Sequence, residues 1–369
     1  MHVDASDVQA LALGGAFLAT GGGGDTLIGE ITTGVALEQF GPVALIDVQT
    51  LADDALVLAV GGAGSPTIMQ EKPSAGDEPR AALETLERYL GRPADALIAF
   101  EAGGMNALLP LALAAERKLP VVDADGMGRA FPELQMESFS IYGIQATPLA
   151  MATELDNRVL IEHASSPEVA EQLVRQFAVA AGGGHCVSAE HPMSGAEVKR
   201  VAVLGTLSLC RHIGAALLKH GPRIDTFVAS LEALLAPTHY GEVRLLFRGK
   251  VVDLSRRVEG GYDLGLLQIA AFGAAETVEI RIKNEYLTAH CDGQPLALTP
   301  DLICILDNET GRPITAETIR YGQRVTVLGI GAPALMRTPR ALTVVAPRNF
   351  GFDFDYVPIE ELPRPSERR

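Results

Sequence analysis

The sequence predicts an α/β chain: a mostly parallel sheet with flanking helices over residues 1–237, a smaller, mainly β module over 238–362, and a short tail, 363–369. Three observations carry this. Short apolar runs that end in glycine turns (Ala55–Val60, Ala96–Phe100) or in an acidic loop (Pro120–Val122) recur through the first two thirds, with amphipathic stretches between them. The central stretch Asp95–Glu133 reads strand, glycine turn, helix, strand, acidic loop, which is a βαβ unit. Beyond Pro237 the pattern changes to short alternating runs separated by turn signals such as Glu259-Gly260-Gly261 and Asp292-Gly293, as in an all-β module.

In chain order, Ser6–Ala19 is predicted as a helix that Gly14-Gly15 either breaks or allows to pack closely. Thr20 and four glycines, Gly21–Gly24, follow it and lead to Asp25. Such a run lets backbone N–H groups approach a ligand, though a flexible turn is the plainer reading. The run follows a helix and lacks the GxGxxG order, so it is not a dinucleotide fingerprint. Val43–Val48 and Ala55–Val60 are strands, the second ending at Gly61–Pro66, and Glu78–Leu90 is an amphipathic helix. After the βαβ unit, Val159–Glu162 is a strand and Ser166–Ala178 a helix, which Gly182–Gly184 interrupts before the strand His185–Ser188. Ser194 and Glu197 form a capping box, opening one long apolar helix that ends at His220 and is buried in the core or in an interface between copies.

With 369 residues, 47% of them hydrophobic, the chain can bury two cores. A net charge of −16 and the lack of a basic run argue against nucleic acid or an anionic membrane surface as partner. Apolar stretches fall short of a membrane span, the first residues lack a signal pattern, and four cysteines show no CxxC pairing. A cytoplasmic protein is expected.

Ligands of open α/β sheets bind beyond the carboxyl ends of the parallel strands. That edge is predicted to carry Glu101, Gly103, Gly104 and Asn106 after one strand, and Asp123, Asp125, Arg129 and Glu133 after the next. Asp123 and Asp125, two apart, share a face of an extended strand end and with Glu101 and Glu133 can bind a divalent cation or move a proton. A solvated loop with Arg129 paired internally is the alternative. His185-Cys186 with His191 is where imidazole and thiol crowd together, but adjacent strand residues point to opposite faces, so the segment is expected to give a single ligand, with one buried thiol and two ordinary histidines as the alternative. Ser65, Ser188 and Ser194 lack a nucleophile elbow. Arg256-Arg257 with Lys250 and Asp253 form either a carboxylate clamp or a surface ion-pair ladder.

Several strings, in order and over nearly the full chain, carry a family likeness: LGGAFLATGGGGD, EAGGMN, VVDADGMGRAFPELQM, HPMSGAEVKR, GTLSL, FRGKVVD, KNEYL, TPDLICILDNETG and RYGQRVTVLGI. Together they resemble the S-methyl thiohydantoin desulfurase family, companions of hydantoinase and oxoprolinase enzymes. One branch resembles a metal-dependent desulfhydrase that acts on thiohydantoin propionate in ergothioneine breakdown. The resemblance implies an enzyme that exchanges the thiocarbonyl sulfur of a five-membered cyclic thio-amide for oxygen. It carries the family's glycine-aspartate signature onto Gly21–Asp25, its GGMN turn onto Gly103–Asn106, and its acidic loop onto Asp123, Asp125, Arg129 and Glu133.

On this reading Asp123, Asp125 and His185 hold a divalent ion, zinc by expectation, and Glu101, Asp123 and Glu133 are the catalytic acids and bases. Gly22, Gly23, Gly24, Asp25, Gly103, Gly104, Asn106 and Arg129 bind substrate. A metal-dependent cyclic amidase and a non-catalytic subunit of a hydantoinase-type complex are the alternatives. The apolar helix around Val198–Leu218 suggests a homo-oligomer.

Overall fold

A computed structural model describes residues 1–24, 26–64, 74–181 and 185–364. Asp25, the turn at Ser65-Pro66, Gly182–Gly184 and the last residues of the tail lie outside the described residues.

The first sheet has nine strands: β1 (His2–Val3), β2 (Val43–Ile46), β3 (Leu56–Gly64), β4 (Ala96–Ala99), β5 (Val121–Asp125), β6 (Leu149–Ala152), β7 (Arg158–Ile161), β8 (His185–Ser194) and β9 (Val203–Leu204). The spatial order is β1-β2-β5-β4-β3-β8-β6-β7, with β9 beside β5. Its centre, β2-β5-β4-β3, is parallel, and the strands on either side run antiparallel. The central strands are almost wholly apolar because helices cover both faces.

The second sheet is antiparallel, ordered β14-β13-β12-β11-β10-β16-β15, from β10 (Val243–Glu259), β11 (Tyr262–Ala271), β12 (Thr277–Lys283), β13 (Glu285–Cys291), β14 (Gln294–Leu298), β15 (Leu302–Asp307) and β16 (Arg324–Ile330). The predicted class, an α/β sheet followed by an all-β module, is the one observed. The sequence reading passed over the helices Thr26–Phe40 and Ile224–Leu235 and the strands β6 and β11.

One predicted element is corrected. The helix opened by the Ser194–Glu197 capping box stops at Val201. Val203–Leu204 then pairs with Ala124 and Asp125, Gly205 turns in the left-handed region (φ 71°), and a second helix runs Thr206–His220. Pairing with β5 satisfies backbone groups that a continuous helix would satisfy internally, and glycine makes the reversal inexpensive. The apolar face of Thr206–His220 is used within the chain. It packs on the helix Val8–Leu18, where a Cβ on Gly14 would lie 1.8 Å from the Cys210 carbonyl oxygen and one on Gly214 1.7 Å from that of Ala10. Gly14 therefore serves close helix–helix contact and Gly15 the close approach of Gly104 and Ala107; neither breaks the helix, and this face gives no argument for an oligomer.

Candidate active site

A small cleft opens where the carboxyl ends of β3 and β4 meet the loop after β5 and the β12–β13 hairpin. Acids dominate its wall: Glu101, Glu133, Glu137, Glu171, Glu190 and Glu285, with Gly23, Gly24, Gly62 and Asn106 between them.

The glycine turns are built into one another. The Met105 N–H donates to the Gly23 carbonyl (2.8 Å), while the Tyr286 and Ala316 N–H groups hold the carbonyls of Thr20 (2.7 Å) and Gly21 (2.8 Å). A Cβ on Gly23 would sit 2.5 Å from Gly103, and one on Gly104 2.3 Å from Gly23, so only glycine permits the crossing. Thr20 itself adopts φ 50°, a conformation that a β-branched residue takes only when its surroundings impose it.

Asn106 is a clamp. Its amide exchanges two bonds with the Gly62 backbone (2.8 and 3.2 Å) and donates to Glu101 Oε1 (2.8 Å), while the Phe131 N–H donates to Glu101 Oε2 (3.1 Å). Glu101 is thus aimed and held, and burial pushes its carboxyl up to about 8 against the lowering effect of those bonds. Glu133 sits at the mouth, bonded to Lys283 and Gln135.

Three further predicted residues are placed differently. Asp123 Oδ1 accepts the Ser208 N–H (2.9 Å), capping the start of the helix Thr206–His220. Asp125 Oδ2 accepts the N–H groups of Ala102 (2.7 Å), Met127 (3.1 Å) and Gly128 (2.8 Å), so it ties the ends of β4 and β5 into one turn. Burial raises the Asp125 carboxyl to about 7. Neither aspartate lines the cleft. Arg129, expected to bind substrate, is committed elsewhere. It is fully buried, and its guanidinium donates to the carbonyls of Ala130, Pro300, Asp301 and Tyr286 and to Thr20 Oγ1, which engages all five N–H groups with the protein. It joins the two modules and leaves no donor for a substrate. Of His185 only the backbone is described, paired with Gly64.

The feature the sequence reading missed is a group of Glu137, Glu190 and His191, all at most 1% exposed. One ligand atom from each lies within 4.8 Å of the others. His191 Nδ1 is 3.2 Å from Glu190 Oε1 and 3.5 Å from Glu137 Oε2. These three atoms are buried and have no hydrogen-bond partner among the described residues. Buried polar atoms are nearly always paired, so three orphans facing one point fit a cation. The other ring nitrogen, Nε2, meets Ser140 Oγ at 2.9 Å, and Ser188 Oγ donates to Glu190 Oε2 at 2.9 Å, the outer bonds that orient metal ligands. Burial, and then the neighbouring Glu190, push the Glu137 carboxyl well above the ordinary range.

Adjacent strand residues face opposite ways, yet Glu190 and His191 converge. The pairing of β8 with β3 slips between Ala59↔Glu190 and Val57↔Met193, leaving His191-Pro192 as a bulge with His191 at φ 45°. Bulges re-aim side chains in this way. The signal in the sequence was Pro192, since proline inside a strand marks an edge or a bulge.

The acids also set a pH dependence. Glu101 and Asp125 are both raised in the folded chain, so between the ordinary carboxylate range and about pH 7–8 the folded state binds more protons than the unfolded. Their stabilising contribution is complete at low pH and is lost as pH rises through those values. In chelator, the melting temperature is expected to fall between about pH 5 and pH 8, and Glu101→Gln is expected to flatten the fall. A melting temperature that climbs over that interval would contradict this account.

Comparison with known proteins decides the family. The family models S-Me-THD-like, N-terminal domain, and S-Me-THD-like, C-terminal domain, match residues 6–163 and 165–359. The chain belongs to the S-methyl thiohydantoin desulfurase family. Its family models divide near residue 164, whereas β8 and β9, beyond that point, complete the first sheet. A crystal structure of a protein from Chromobacterium violaceum is similar over 97% of this chain and 100% of that one, at 23% identity and a TM-score of 0.82, a likeness of fold. No curated protein matches the chain. Among the described residues, no helix is long and apolar enough to cross a membrane.

Proposed function

We propose that this S-methyl thiohydantoin desulfurase family member is a metal-dependent enzyme that replaces the thiocarbonyl sulfur of a five-membered thiohydantoin ring by oxygen and releases sulfide. The observation that carries the reading is the set of three buried, unpartnered ligand atoms on Glu137, Glu190 and His191 beside a held carboxyl, Glu101. Two carboxylates and an imidazole suit zinc, and three protein ligands leave coordination positions open, as catalytic sites require. A divalent cation there supplies Lewis-acid polarisation and a more acidic water.

The chain's own groups do the rest. Glu101, fixed by Asn106 and the Phe131 N–H, accepts a proton from the water that attacks the thiocarbonyl carbon. A carboxyl raised to about 8 is a far stronger base, once ionised, than an exposed glutamate. Gly23 and Gly24 keep the wall flat enough for a small planar ring to lie against the backbone. Collapse of the tetrahedral species expels sulfide in preference to hydroxide, the poorer leaving group.

The test is direct. Protein purified without chelators is assayed for bound metal and for sulfide release from thiohydantoins with varied side chains. Zinc near one equivalent per chain and sulfide abolished by chelator and restored by metal are expected. Metal-loaded protein that yields no sulfide from any of them would overturn the proposal, and a ring-opened carboxylate product without sulfide would point to a cyclic amidase.

A further inference from the structure

The cleft has a carboxyl that the reaction as described does not use. Glu285 comes from the β module, at the tight bend between β12 and β13, where Asn284 adopts φ 57° and exchanges bonds with Asp263 (2.8 and 2.9 Å). Glu285 is 2% exposed and lines the cleft. Its Oε2 is buried without a partner among the described residues. On the other side its Oε1 presses on the glycine run so closely that a Cβ on Gly22 would lie 2.0 Å away. A side chain tied at one end by its backbone, crowded at Oε1 and orphaned at Oε2 is poised for a ligand in the cleft. Glu101 lies on the same wall, and the pull of the Arg129 guanidinium on both carboxyls is outweighed by their burial.

We propose that Glu285 is a second catalytic residue, the acid that protonates the departing sulfur while Glu101 acts as the base. Burial, reinforced by Glu101, raises its carboxyl well above the ordinary range, which favours the protonated form, and in that form the orphaned oxygen is a donor. The inference rests on the desulfurase reading. Water adds to the thiocarbonyl carbon as Glu101 takes its proton, and the C=S electron pair moves to sulfur. Glu285 gives its proton to that sulfur. The C–S bond then breaks to expel HS−, the new hydroxyl becomes C=O, and its proton returns to Glu285. One proton remains on Glu101 and leaves to solvent, so water and thiocarbonyl have become carbonyl, HS− and H+.

The experiment compares wild type with Glu285→Gln, which keeps size and polarity, and with Gly22→Ala, which displaces the Glu285 carboxyl without removing it. Substrates are a thiohydantoin and a series of 2-arylsulfanyl analogues whose leaving thiols grow steadily more acidic. Glu285→Gln is expected to keep its metal content, circular dichroism and KM, and to lose about 100-fold or more in kcat on the thiohydantoin. That loss shrinks along the arylsulfanyl series, because an acidic thiol leaves without an acid. Gly22→Ala shows the same trend more weakly. An equal loss across the series, or none, overturns the proposal. Infrared difference spectra of wild type against Glu285→Gln give a readout free of activity. A protonated-carboxyl band at neutral pH that disappears in the variant is expected, and its absence from wild type overturns the assignment even in an active enzyme. Wild type inactive on every ring would instead sink the desulfurase reading itself.

Discussion

Replacing His191 by alanine is expected to release the metal and abolish sulfide production while leaving the chain folded. The ring supplies one of three ligand atoms, Nδ1, at 3.2 Å from Glu190 Oε1 and 3.5 Å from Glu137 Oε2. Changes in the groups that merely orient metal ligands weaken binding about 10–100-fold, so loss of a ligand should cost at least about 100-fold. Two buried carboxylates without the imidazole also repel one another, which adds to the loss. Removing the ring from its T-shaped contact with Phe139, 5.4 Å between centroids, costs packing as well. Elemental analysis of His191→Ala and Glu190→Gln beside wild type checks this. Ser140→Ala, which removes only the partner of Nε2, should show a milder defect in the same direction. Full metal occupancy in His191→Ala would mean that the ion, and the reaction with it, belongs elsewhere in the molecule.

Arg129→Met should cost about 3–5 kcal/mol of stability, the range for breaking a buried charged network by removing one partner. Methionine fills much of the volume but leaves the carbonyls of Pro300, Asp301 and Tyr286 and the Thr20 hydroxyl without their donor. It also strips the positive charge that faces Glu285 and Glu101. Urea unfolding of the metal-free variant measures the loss. The effect separates two roles for the same residue. An arginine that clamps a substrate carboxylate would raise KM and barely move the unfolding midpoint, whereas one that joins the modules moves the midpoint sharply. A variant as stable as wild type would show that the five bonds contribute little.

Much of the frame was legible in the chain. The βαβ unit at Asp95–Glu133, the glycine run at Gly21–Gly24, the GGMN turn and the change of pattern after Pro237 each rest on local periodicity or on backbone freedom that the residues themselves dictate. The edge that carries Glu101 and Asn106 follows from parallel strand geometry alone, whereas Gly23 and Gly24, which follow a helix, reach it through their crossing with Gly103 and Gly104. Roles within that edge were harder to read. Asp123 and Asp125 have the spacing of a ligand pair, but unpaired N–H groups at the start of Thr206–His220 and in the turn after β5 take up their oxygens.

The sequence by itself determined the class of fold, the family and the glycine turns that let backbones cross at one edge, because each depends on neighbours within a few residues or on strings long enough to be distinctive. Only the tertiary structure decided which acids face one another. Glu137, Glu190 with His191, Glu101 and Glu285 come from four separated segments, and a bulge at Pro192 and a bend at Asn284 turn them inward. Burial follows from that convergence, and burial is what raises a carboxyl and leaves its oxygens wanting a partner.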